Sequence, residues 1–157
     1  MVRYEPAAKQ PTATACQPGT RALLFAVRAA WPELAGFPSA YGCWNPRRIK
    51  GSSSWSLHAE GRAIDVHVPA NMKNLGWELG CELSNRRQVY GVQRVIWDGH
   101  IWSIEQPRGW RELLASTKDK HRDHLHIEQW WADALKPSAV QATYENELKA
   151  ARVKTGS

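Results

Sequence analysis

The chain has 157 residues, enough for one domain that buries about two-thirds of the surface its unfolded form exposes, and too few for several. A formal charge of +6 and a pI near 9.5 favour an anionic partner, with nucleic acid, acidic membrane and cell-wall polymer all open on charge alone. No apolar run reaches the length of a membrane span, and Met1-Val2-Arg3-Tyr4-Glu5-Pro6 has no apolar signal-peptide core, so the expectation is a protein made in the cytoplasm without a signal peptide.

Residues 1–19, with Pro6, Pro11 and Pro18 and no apolar period, read as an extended arm. Thr20 is placed to cap a helix through Arg21–Trp31, whose Leu24, Val27 and Trp31 form a core-facing stripe, and Pro32 ends it. Residues 36–54 read as a turn-rich polar loop in which Arg47, Arg48 and Lys50 precede Gly51-Ser52-Ser53-Ser54. Asp65 opens into Val66-His67-Val68, the alternation of a half-buried strand. Met72, Leu75, Leu79 and Leu83 give a helix over Asn71–Asn85, weakened at Gly76 and Gly80. Val92–Ser103 reads as a hairpin turning on Asp98-Gly99. A short helix is expected over Trp110–Ser116, and a charged loop over residues 117–122. His124-Leu125-His126-Ile127-Glu128 then alternates as a strand. From Pro137, Val140, Tyr144, Leu148 and Ala151 recur at helical spacing.

These elements give an α+β single domain: a small, mainly antiparallel sheet carrying the site, with helices packed on it. The division is an arm (1–19), a central domain (20–136) and a C-terminal helix or tail (137–157). Cys16, Cys43 and Cys81 have neither metal spacing nor an even count, which fits a reducing compartment; one disulfide plus a free thiol stays open.

The chemistry concentrates in Ser56-Leu57-His58-Ala59-Glu60-Gly61-Arg62-Ala63-Ile64-Asp65 and in His121-Arg122-Asp123-His124-Leu125-His126. Four of the six histidines lie in these two stretches, together with two aspartates. A carboxylate on the inward face of a strand is costly to bury unless it is paired or bound to a metal. Two imidazoles and one carboxylate, with a position left for water, form the ligand set of catalytic zinc. The ligands chosen are His58, Asp65 and His126, holding one Zn2+, with Asp123 as the base. The plainer alternative is a crowd of surface histidines. Strict alternation turns Asp123 away from His126, so its role requires an irregular strand entrance.

Ser-x-His-x-x-Gly-x-Ala-x-Asp (Ser56 to Asp65) followed by Asp-x-x-His (Asp123 to His126) resembles the signature of zinc D-Ala-D-Ala carboxypeptidases and L-alanyl-D-glutamate endopeptidases. These are peptidoglycan metallopeptidases that share a fold with the hedgehog signalling domain. Trp44-Asn45-Pro46-Arg47-Arg48 and Val95-Ile96-Trp97 add to the likeness over residues 41–130. The resemblance implies a zinc-dependent hydrolase acting on peptidoglycan stem peptides. It implies Arg47 as a substrate contact near the scissile bond and an accessory catalytic role for His124. Ser56 is grouped with Arg47 on the substrate side, its hydroxyl holding the ligand loop rather than attacking substrate. Arg48 and Lys50 read as solvated, His100 stands outside the site, and His121 reads as a loop residue.

A cell-wall hydrolase without its own signal fits a phage endolysin, released during phage-driven bacteriolysis, or a domain cut from a longer protein; the absent signal and the positive charge favour the endopeptidase over the carboxypeptidase. A nucleic-acid-binding module would suit the charge and the nine tryptophans. Its basic residues, however, are scattered rather than striped, and the His58/Asp65 pair would go unexplained. His58-Ala59-Glu60 mimics a zinc deaminase, but the Pro-Cys-x-x-Cys partner is missing. A wall binder that does not cleave would lack the base, and Asp123 is present.

Overall fold

The computed structural model describes residues 2–34 and 42–156, so the first part of the expected 36–54 loop lies outside the described residues. Five strands form one antiparallel sheet in the order β1-β5-β2-β3-β4. They are β1 (Ala63–His67), β2 (Val92–Trp97), β3 (His100–Ser103), β4 (Gln106–Glu112) and β5 (His124–Gln129). The last strand is therefore inserted between the first and the second.

Alternation sorts the two faces. Ile64, Val66, Val95, Trp97, Trp102, Leu125 and Ile127 are buried in the core. Helices α1 (Pro18–Ala30), α2 (Lys73–Asn85) and α5 (Val140–Thr155) supply the other side of that core through Leu23, Val27, Leu79, Leu83, Tyr144 and Leu148. The register pairs Asp65 with His126, His67 with His124, Ile96 with His126 and Arg94 with Glu128. The opposite face of the sheet is thus a polar floor. Short helices α3 (Arg87–Tyr90) and α4 (Trp131–Ala134) flank β2 and β5.

Two expectations change. The first helix starts at Pro18 after Gln17, not at a Thr20 cap, because proline's fixed φ suits the first helical position. Trp110–Ser116 is not a helix: Trp110 belongs to β4, which pairs with β3 through His100–Glu112 and Ile101–Arg111. Hairpin pairing and the Trp110–Trp77 edge contact override a weak local pattern. Pro107, Arg108 and Arg111 suit an edge strand that must not recruit another chain.

Cys16 and Cys43 form a disulfide and Cys81 is free, so the pairing alternative holds over three reduced thiols. The disulfide ties the arm down, and Gln17 N donates to Gly61 O (3.0 Å). Gly61 has φ +67°, and a Cβ there would stand 2.3 Å from Ala15 O, so no other residue fits under the arm. Arg62, fully buried, bonds Glu60 (2.6 Å), Gln129 O (2.9 Å) and Glu5 O (3.1 Å), locking arm, ligand loop and β5 together. No described helix is long and apolar enough to cross a membrane.

Candidate metal centre

The first ligand sits on a 3-10 turn, Leu57–Glu60. Ser56 caps it: its hydroxyl accepts from His58 N (3.3 Å), the loop-holding part assigned to it. His58 is buried, and its Nδ1 lies 2.6 Å from Cys43 O. A carbonyl only accepts, so Nδ1 carries the hydrogen and Nε2 presents its lone pair. His126 is placed likewise by β5: its Nε2 donates to Glu128 Oε1 (2.9 Å), freeing Nδ1. Asp65 comes from β1, its backbone N–H held by Gly42 O (2.8 Å).

Three acceptor atoms therefore converge. His58 Nε2 is 3.1 Å from Asp65 Oδ1 and 3.2 Å from His126 Nδ1, which is 3.1 Å from the same Oδ1. A tetrahedral ion with ligands at 2.0–2.1 Å has donor–donor edges of about 3.3 Å, so the triangle fits a zinc-sized cation. Each imidazole also has its remote nitrogen fixed by an acceptor, the usual outer arrangement of a metal-bound histidine.

Without an ion, a proton takes its place. Burial opposes charging His126, but the bonds to Asp65 and Glu128 outweigh it and raise the ring to about 9. Burial would raise Asp65, yet the bonds from His126 and His58 hold it well below the usual carboxylate range. Glu128 is likewise opposed by burial and held low by Arg94 and His126.

Arg47 stands beside the triangle, with Nη2 3.9 Å from Asp65 Oδ2. Arg48 instead stacks on Trp55 at 3.8 Å and bonds Ser53 O, a structural task. Asp123 lies just before β5 with its carboxylate largely exposed, and it meets the site through His124, accepting from Nδ1 at 2.7 Å. His124 Nε2 is 3.9 Å from Asp65 Oδ1. Asp123 is thus outside the triangle, one imidazole removed.

Several residues escaped the sequence reading. His121 has φ +50°, is turned in by an Asp119 bond to its N–H (2.9 Å), and packs against His124 and His126. Burial, then His126, keep its pKa well below normal, so the ring is neutral. Glu128, two residues after His126 on one strand face, was legible from period two. Arg94 and Lys50 line a cavity of about 320 Å³ with Arg47, His121 and His126. Among larger cavities, one of about 570 Å³ between α2 and α5 is remote from these groups.

Fold and site together define a small α+β domain with a three-donor centre on the open face of its sheet. Residues 12–125 match the family described as VldE, C-terminal domain, so the chain belongs to that family. The match takes in His58, Asp65, Asp123 and His124 and stops one residue short of His126. No curated protein and no solved structure matches the chain.

Proposed function

We propose that the protein is a zinc metallopeptidase of the hedgehog/DD-peptidase-like fold that hydrolyses an amide bond in peptidoglycan stem peptides, as an endolysin-type L-alanyl-D-glutamate endopeptidase. The observation that carries this reading is the triangle of His58, Asp65 and His126, with both remote imidazole nitrogens already bonded. Zinc in such a set supplies Lewis acidity and a nucleophile at neutral pH.

The remaining work falls to the chain. Asp123 holds the Nδ1 proton of His124, so the basic nitrogen Nε2 faces the triangle. A proton taken up there can be returned to the leaving amine. Asp123 therefore acts on the proton through His124, which exchanges the roles expected from the sequence: His124 as the base and Asp123 as the group that orients it. Arg47, half-exposed on the cavity rim, orients a substrate carbonyl or carboxylate with its fixed fork. Ser56 lines the same cavity. The chain's positive charge suits an anionic wall.

Digestion of purified peptidoglycan by the zinc-loaded protein, read by mass spectrometry, tests the proposal. New L-Ala carboxyl ends paired with D-Glu amino ends are expected, and they disappear in Asp123→Ala with zinc retained. Release of terminal D-Ala alone would redirect the reading to a carboxypeptidase, and an untouched wall would end it.

A further inference from the structure

The acceptors that orient the two imidazoles lie on different parts of the fold, Cys43 O on the loop before the 3-10 turn and Glu128 on β5. The same short segment, residues 2–17, reaches both. At one end Tyr4 Oη donates to Glu128 Oε2 (2.8 Å), while Arg94 donates to Tyr4 Oη (2.9 Å) and stacks on its ring at 4.0 Å. At the other end Cys16 is bonded covalently to Cys43. Between them the arm is pinned by Gln93 and Trp131 at Glu5, by Glu60 at Ala8 and by Trp44 at Ala13.

We propose that residues 2–17 are a positioning strap for the metal centre: Tyr4 fixes the carboxylate that orients His126, and the Cys16–Cys43 bond fixes the carbonyl that orients His58. This rests on the metal reading above. A carboxylate whose second oxygen lacks a hydrogen bond can rotate, and the His126 ring turns with it; the Tyr4 hydroxyl supplies that bond to Oε2, where Arg94 Nη1 approaches only to 3.8 Å. The loop bearing Cys43 is held near the centre by Gly42 O to Asp65 N and Asn45 N to His58 O. The disulfide adds a covalent anchor to a chain segment that no strand or helix contains. Among the described residues the strap makes no hydrogen bond to His58, Asp65 or His126 side chains, and it has no part in the acid–base chemistry.

The test measures zinc affinity by chelator competition on the full chain, together with the visible spectrum of the cobalt-substituted protein. Losing an outer partner of a ligand outright costs 10- to 100-fold in affinity; Tyr4→Phe and the Cys16→Ser/Cys43→Ser pair act one step further out, so each is expected to weaken zinc by about threefold to tenfold. Both should alter the cobalt bands. Trp130→Phe removes a strap contact, Trp130 Nε1 to Arg3 O, that leads to neither acceptor, and should leave affinity within twofold. If Tyr4→Phe lowers the melting temperature yet leaves zinc affinity and cobalt spectrum at wild-type values, the strap is a mere structural tie and the proposal fails. Tyr4→Phe decides this even where the cysteine pair does not fold. A wild-type chain that binds no zinc overturns the metal reading and the strap with it.

Discussion

The three converging acceptor atoms make a quantitative prediction about protons. Zinc and a proton compete for His126 Nδ1, and in the metal-free protein that ring is raised to about 9. At about pH 7.5 it is therefore almost fully protonated, and zinc uptake should expel close to one proton per ion. Affinity should fall about tenfold, or about 1.4 kcal/mol, for each unit that pH drops below 9, and level off above it. The linked effect on folding has a defined sign. Because the folded value lies above the unfolded one, the ion pair stabilises the metal-free protein fully below about pH 6.5 and is lost as pH rises through about 9. Calorimetric titration of zinc in two buffers of different ionisation heat counts the protons directly. Glu128→Gln keeps an acceptor for Nε2 but removes the negative charge that helps raise the ring, so the count at the same pH should fall. Proton release near zero for the native chain, with affinity flat between about pH 7 and 8.5, would refute the shared-site argument.

Other perturbations follow from the same geometry. His58→Ala or His126→Ala removes a donor from a set of three, and zinc should be lost at micromolar concentrations by metal analysis while circular dichroism keeps the sheet signal. Arg62→Met strands Glu60 in a buried setting, and denaturant unfolding should show a loss of about 3–5 kcal/mol. Leu79→Ala, in the fully buried core, should cost about 2–5 kcal/mol by the same measurement without changing zinc affinity. On the proposed peptidase reading, Arg47→Ala should lower kcat/KM on peptidoglycan about tenfold at unchanged zinc content, since its guanidinium borders Asp65 but is outside the candidate ligand set.

The candidate donors Asp65 and His126, with the outer partner Glu128, are legible in the sequence because period two puts them on one face of the sheet and Leu125 and Ile127 on the other, whereas His58 comes from a 3-10 turn and is legible only through the Ser56–Asp65 motif. The hairpin at Asp98-Gly99 and the C-terminal helix are legible for similar local reasons. What surrounds the ligands is not. Cys43 contributes a backbone carbonyl, which leaves no mark on residue identity. Tyr4 acts on a group 124 positions away. His121 enters the cavity through a left-handed backbone that no pattern of apolar residues reveals, and β4 owes its form to a partner strand. Asp123 stands in the motif and bonds its sequence neighbour His124, but the approach of His124 to Asp65 belongs to tertiary geometry.

The contact between Tyr4 and Glu128 also sets an order of events during synthesis. The strap is made 124 positions before the carboxylate it grips, and β5 must still slot between two strands already made. A nascent chain interrupted before that point holds only His58 and Asp65, and late-forming, long-range pairings of this kind slow folding. The centre thus forms only once β5 has been made, when the strap and the last strand are present together.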